Sequence, residues 1–399
     1  MTKTLATHPV YLDYNATTPV DSRVLEAMLP YLTEAFGNPS SDHTYGRRPA
    51  AALGAARFQV AKLIGAAARE IVFTGSGSEA NLLALRGVVL APGRPIAHLI
   101  TQATEHPAVL ATCRALSRLH GVRLTVLPVE SDGRLDPARL AAALDGRPAL
   151  VSVMAANNET GVLQPISELA ELAHRRSALL HCDAAQAAGK IDLDTAALGV
   201  DLLTVVGHKM YAPKGIGALY VREGIGLEPV IYGGGQEHQL RAGTENVAFA
   251  VGFGVAAELV AADLANGTPT RLARLRDQLY QQLSDALPRR VHLNGSAEHR
   301  LPNILNISID GGRGHEILAA APQIAASTGS ACHTGTFSPS PALTAMGIEE
   351  ERALGAIRLS LGRMSTSEDI QVAVAALTAA AAECEGATAR RSVTTPGEP

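Results

Sequence analysis

The sequence predicts an α/β fold: a large domain on a mostly parallel seven-stranded sheet, followed by a smaller α+β domain. Three observations carry that expectation. Short, nearly continuous apolar runs alternate with longer helical patterns, and such runs belong to strands covered on both faces. At 399 residues the chain exceeds what one typical core accommodates. A polar break, ANGTPT (265–270), separates the alternating region from the C-terminal third of the chain.

Taken in order, the candidate strands of the large domain are EIVFT (70–74), IAHLIT (96–101), RLTVLPV (123–129), ALVSVM (149–154), ALLHCD (178–183), LLTVV (202–206) and GALYV (217–221). Helical patterns such as EANLLALRGVVL, PAVLATCRALSRLHG and ISELAELAHRRS lie between them. After the break come the helical RLARLRDQLYQQLSDAL, strands near VHLNG and NILNISID, and a closing helix from Ser367. The expected division is an N-terminal arm (1–17) packing with the small domain, a large domain (18–262), a small domain (263–387) carrying the Cys332 loop, and a disordered tail (388–399) poor in apolar residues.

Hydrophobic residues make up 47% of the chain, enough for a core and contrary to disorder. Net charge is -4 with scattered basic residues, so no footprint for nucleic acid or a membrane surface is present. No uncharged apolar run reaches the roughly 20 residues of a membrane span, and MTKTLATHPV has no apolar signal region. The four cysteines are far apart without a CxxC pair, which fits neither a disulfide framework nor a zinc site and leads to the expectation of a reducing cytoplasm and no metal.

In open α/β sheets ligands sit beyond the carboxyl ends of the strands. After EIVFT comes GSGSEANLLAL, where a glycine-serine turn enters a helix directly. Gly77 permits close approach, and the hydroxyls of Ser76 and Ser78 can donate. The stretch is either an anion site or a plain N-cap. After IAHLIT, His106 stands at a helix start, as a cap or a catalyst. The turn after ALVSVM crowds Asn157, Asn158 and Glu159, as an Asx turn would. Asp183 ends an apolar strand, where a carboxylate needs a cationic or hydrogen-bonding partner. Of five lysines, Lys209 alone follows an apolar strand into a glycine-flanked turn, whereas Lys190 and Lys214 read as surface residues. Burial would lower the Lys209 pKa and make it a Schiff-base nucleophile. An amine, an isolated acid, an anion cradle and a flat ring at one sheet edge form the set that pyridoxal 5'-phosphate requires.

The ordered series YLDYNATTPV, GNPSS, FTGSGSEANL, TEHPAVL, NNETGV, HCDAAQAAGK, GHKMYAPKGIGALYVR, GGGQEHQLRAGTENV, LPNILNISI, STGSACHTG and IRLSLGR resembles the class V aminotransferase group of fold-type I pyridoxal-phosphate enzymes, specifically the cysteine desulfurases of the NifS/IscS type. The resemblance implies that Lys209 holds the cofactor, Asp183 pairs with its ring nitrogen, Gln186 bonds its phenolic oxygen and His106 stacks on the ring. It implies that Gly77, Ser78 and His208 hold the phosphate, and that Thr244 reaches the phosphate of a second subunit in a homodimer. Asn158 and Arg358 would grip the substrate carboxylate, with Asn38 nearby. Cys332, set among small and hydroxylated residues, would take sulfur from L-cysteine as a persulfide, leaving L-alanine, and pass it to an acceptor such as an iron–sulfur scaffold or a tRNA-thiolation enzyme. His333 is a candidate to tune the thiolate. Two features depart from the pattern: Val206 stands where many desulfurases carry a serine or threonine phosphate ligand, and several motifs also resemble selenocysteine lyases, an alternative reading.

Overall fold

The computed structural model describes residues 8–93, 96–328, 332–333 and 336–393; the side chains of 332–333, 336–337 and 386–393 lie outside that description. Its strands in chain order are β1 Val10–Tyr11, β2 Ile71–Thr74, β3 His98–Gln102, β4 Arg123–Leu127, β5 Ala149–Ser152, β6 Leu179–Asp183, β7 Leu202–Val206, β8 Gly217–Val221, β9 Val291–Leu293, β10 Ile304–Ile309, β11 Ile324–Ala325, β12 Cys332–His333, β13 Thr336–Phe337 and β14 Ala356–Ser360.

Seven strands form one sheet in the order β2-β8-β7-β6-β5-β3-β4, with β8 alone antiparallel to its neighbours. Every residue of β5 to β8 is buried, and alternate side chains feed two different cores. Leu150, Leu202 and Leu219 pack under the helix Gly77–Leu90, while Val151, Leu203, Val205 and Ala218 pack on the other face with Phe253 of the helix Val247–Ala265. A strand buried on both faces has no polar side to show, which explains the continuous apolar runs. The helix Val247–Ala265 is long and apolar enough to cross a membrane, yet Phe253, Ala256, Ala257 and Val260 are core residues. At the other edge β4 is partly exposed, and it stops at Leu127 rather than Val129, since Pro128 has no N–H to extend the ladder.

A second, antiparallel sheet has the order β14-β10-β9. It packs Leu305, Ile307 and Leu359 against Leu275 and Leu279 of the helix Thr268–Ala286 and Ile370 and Leu377 of the helix Ser367–Val393. The first of these helices begins inside the stretch read as a break, with Pro269 in its first turn, where a missing N–H costs nothing. The last one runs past Ala387 to Val393. Near the N-terminus, β1 pairs with β11, Leu12 is buried in this second core, and Asp13 bridges to Ser360. Asn15 and Ala16, two and three residues further along the chain, therefore emerge where the two sheets meet.

Candidate active site

The site forms at the carboxyl ends of β2, β6 and β7. In β6 and β7 Asp183 is registered opposite Thr204, so Asp183 and the turn carrying His208 and Lys209 reach the same edge. They line a cavity of about 320 Å³ together with Asn15, Gly77, Ser78, Asn81, His106, Asn158, Gln186, Val206 and Arg358. The structure thus brings together nine of the sequence-derived candidates: Gly77, Ser78, His106, Asn158, Asp183, Gln186, His208, Lys209 and Arg358.

The helix Gly77–Leu90 starts at this cavity, with Ser76 as N-cap accepting from the Glu79 N–H at 3.1 Å. Gly77 is needed for space: a Cβ there would lie 2.4 Å from Val206 Cγ2. Gly77 and Ser78, which line the pocket, keep backbone N–H groups that the cap does not use, and these form the anion cradle. Glu79 is turned away from it, held by Arg241 at 2.9 Å and by the Gly75 N–H at 2.9 Å.

Asp183 accepts from Asn81 Nδ2 at 2.7 Å and from the Ala185 N–H at 3.0 Å. Asn81 is buried on an otherwise apolar helix face, and its Oδ1 has no partner among the described residues. Across the pocket Lys209 Nζ donates to the carbonyls of Asn15 at 2.5 Å and Ala16 at 2.7 Å. Burial, and secondarily the charge of Arg358, pull its pKa from the ordinary 10.5 to about 8. His106 caps the helix Pro107–His120: its Nδ1 accepts from the Ala108 N–H at 3.1 Å, leaving Nε2 as the ring nitrogen not used by the cap. Burial lowers its pKa, and burial with the nearby Lys209 charge pushes His208 down to about 4, so both rings are neutral at pH 7. His208 Nδ1 lies 3.2 Å from Thr17 Oγ1.

Arg358 rises from β14 and is fixed on two sides. Its Nη1 donates to the Asn158 carbonyl at 3.1 Å and its Nη2 to Asp13 Oδ1 at 2.7 Å, while its buried Nε has no partner among the described residues. The other oxygen of Asp13 accepts from Ser327 Oγ at 2.8 Å, and Ser327 makes a backbone bridge to Arg358. This anchors the segment that leads into Cys332. On its far side Ser340, fully buried, caps the helix Pro341–Ala345 and hydrogen-bonds Glu159, the neighbour of Asn158. Both feet of the Cys332 loop therefore stand beside cavity residues. Cys332 and His333 pair with Thr336 and Phe337 as a backbone hairpin, and their side chains lie outside the described residues.

Asn38 and Thr244 do not line the cavity. Both are exposed, and Asn38 Oδ1 accepts from the Ser40 N–H at 2.9 Å. Lys190 modifies the sequence reading: it is half-buried rather than a free surface lysine, and its Nζ bonds buried Gln186 at 2.9 Å. Sequence reasoning also missed Asp13, Asn15 and Asn81. The available signal for Asn81 was a lone amide on the apolar face of EANLLAL; Asp13 and Asn15 gain meaning only through partners far along the chain.

The residues fit pyridoxal phosphate. An amine held by carbonyls rather than by an acid, a carboxylate held by two donors, a cradle that a Cβ would fill and a flat neutral ring surround one cavity. The aminotransferase class-V family matches residues 10–372. The chain belongs to that family. It is 46% identical over 369 residues to "Cysteine desulfurase IscS" of Anaeromyxobacter dehalogenans, an alignment that spans 92% of this chain and 91% of the relative. Among solved structures it matches a NifS-like protein with TM-score 0.86 at 34% identity, covering 93% of this chain and 98% of that one. It also matches "SspA in complex with cysteine" with TM-score 0.76 at 34% identity, over 88% and 98% of the two chains. The family's enzymes of this type use pyridoxal phosphate, as the donor set requires.

Proposed function

We infer that the protein is a pyridoxal-phosphate-dependent cysteine desulfurase that converts L-cysteine to L-alanine and delivers the sulfur to Cys332. The observation that carries the reading is the pairing of Lys209, with its depressed pKa, and Asp183, with its two donors, across one cavity that Arg358 closes from the second sheet. The cofactor, when bound, supplies an electron sink for charge developing at the substrate's Cα and Cβ.

The chain's own residues have distinct tasks. Lys209 holds the cofactor and, once free, moves the proton at the substrate Cα; with a pKa of about 8, roughly a tenth of it is neutral at pH 7. Asp183, oriented by Asn81 and the Ala185 N–H, receives the protonated ring nitrogen. Gln186 donates to the phenolic oxygen. Ser78 and the backbone at Gly77 hold the phosphate, with His208 beside them. His106 offers a flat neutral face to the ring. Arg358 binds the substrate carboxylate bidentately, with Asn158 beside it. The Cys332 thiolate attacks the substrate sulfur: the S–S bond forms, the C–S bond breaks, and the electron pair leaves with the carbon skeleton, which is protonated to alanine.

Thr244 and Asn38 fit a second copy of the chain better than this cavity. An exposed apolar stripe supports a homodimer: Leu25, Leu29 and Leu32 on the helix Ser22–Thr33, with Phe36, Tyr45 and Phe58, are 48–67% exposed. The two sheets with their separate cores support a division into a cofactor domain (18–262) and a small domain (263–387) with residues 1–17 packed on the latter. The sulfur acceptor is a protein of sulfur or iron–sulfur metabolism. The test is incubation of the cofactor-loaded protein with L-cysteine and a reductant. Equimolar alanine and sulfide support the reading, whereas turnover of L-selenocysteine alone would transfer it to the lyase alternative.

A further inference from the structure

Lys190 is a half-buried amine that the reaction above does not use. It ends the turn that follows β6: the Ala187 and Ala188 N–H groups return to the Ala184 carbonyl, and the Lys190 N–H to the Ala187 carbonyl. This coil stacks Lys190 over Gln186, and Lys190 Nζ donates to Gln186 Oε1 at 2.9 Å. Among the described residues no carboxylate forms an ion pair with it, and its neighbours Lys209 and Arg358 are both cations. Burial, and then the charges of Lys209 and Arg358, lower its pKa from the ordinary 10.5 to about 7. What it gains is a single defined contact.

That contact settles the orientation of the Gln186 side chain. A primary amide has one accepting and one donating end, and the two can exchange places by rotation about the last side-chain bond. Lys190 presents N–H groups to it, as an ammonium or as a neutral amine, so Oε1 faces Lys190. On the opposite side Gln186 Nε2 donates to the Asn15 carbonyl at 3.1 Å, and a carbonyl only accepts. The reversed amide would set NH2 against the Lys190 N–H groups and oxygen against the Asn15 carbonyl, losing the contacts that buried Gln186 makes. With Nε2 fixed, its second N–H is the one polar group that Gln186 can turn toward the cavity. The same Asn15 carbonyl accepts from Lys209, so Lys190, Gln186, Asn15 and Lys209 form one continuous chain of contacts.

We propose that Lys190 is a positioning residue that locks the Gln186 amide so that it presents an N–H donor, and never its oxygen, to the phenolic oxygen of pyridoxal phosphate. This rests on the cofactor reading above. It assigns Lys190 an effect on cofactor affinity and on the electronic state of the bound ring, exerted through Gln186 alone.

The experiment compares wild type with Lys190→Met, Lys190→Arg, Gln186→Ala and the double variant Lys190→Met/Gln186→Ala. Two readouts are taken without substrate: the dissociation constant of pyridoxal phosphate by equilibrium dialysis, and the absorption maximum of the bound cofactor. Lys190→Met weakens retention about tenfold, on the order of one net hydrogen bond, and moves the absorption maximum. Lys190→Arg restores both. In the Gln186→Ala background Lys190→Met changes neither, because the path from Lys190 to the ring is gone. If Lys190→Met is recovered unfolded, Lys190→Gln, which can donate or accept and so enforces no orientation, is measured the same way with the same expectation. The proposal is overturned if Lys190→Met or its substitute matches wild type, or if its effect persists undiminished beside Gln186→Ala. A wild-type protein that binds no pyridoxal phosphate sinks the cofactor reading itself, a separate outcome.

Discussion

Val206→Thr is a perturbation whose consequence can be worked from the pocket. Val206 ends β7, is 4% exposed, lines the cavity and closes over Gly77, where a Cβ would meet its Cγ2 at 2.4 Å. Threonine has nearly the same shape, so the change adds a hydroxyl at the cradle with little steric cost. A hydrogen bond to an ionised phosphate is worth ~1.5–3 kcal/mol net, and ordering and desolvating the new hydroxyl takes back roughly 1 kcal/mol. The remainder, about 0.5–2 kcal/mol, predicts cofactor affinity about 2- to 30-fold tighter. The cofactor-free variant should be less stable than wild type, because the same hydroxyl is then buried without an acceptor. Fluorescence titration of the resolved protein with pyridoxal phosphate measures the first effect, and thermal unfolding without cofactor measures the second. Unchanged or weaker affinity would show that the phosphate does not lie in the corner between Gly77 and Val206.

Other expectations concern charge. The rate at which cofactor-free protein captures pyridoxal phosphate should rise about tenfold per pH unit up to about pH 8 and level off above it, because Lys209 is a protonated non-nucleophile below its pKa of about 8; a stopped-flow pH series in which the rate still climbs through pH 10 would mean an unshifted lysine. Arg57→Met should destabilise the protein by ~3–5 kcal/mol in urea unfolding, since it strands Glu237, which is otherwise held bidentately at 2.6 and 2.7 Å and also accepts from the Phe73 N–H. The left-handed run Glu237, His238 and Gln239 depends on that anchor. Loss of the exposed Arg69–Glu223 pair, by contrast, should leave the transition where it was.

The parts of the fold legible in the sequence are those whose cause is local. LLTVV and GALYV coincide with β7 and β8 because both are buried on two faces and bounded by glycine or a charged residue. Boundaries shift where one residue has two meanings. Pro269 reads as a breaker, although in a first turn it opens a helix, and Pro128 extends an apolar run without being able to join its strand. For the site the division is similar. Asp183, Lys209 and Gly77 stand at strand ends, where burial already demands an explanation. Asp13, Asn15 and Asn81 look like ordinary polar residues until the fold sets them beside Arg358, Lys209 and Asp183, and that proximity is a tertiary fact. Lys190 reads as a surface residue because a lysine in a turn is normally solvated; only its buried partner four residues earlier says otherwise.

The central claim is that Cys332 receives the substrate's sulfur, and mass spectrometry after a single turnover tests it most directly. Cofactor-loaded wild type is mixed with one equivalent of L-cysteine without reductant, alkylated and digested. The account predicts that the peptide containing Cys332 gains one sulfur atom while one alanine is released, and that Cys332→Ala keeps the cofactor's absorption but yields neither. Sulfur on another cysteine, or alanine formed at the wild-type rate by Cys332→Ala, would contradict it.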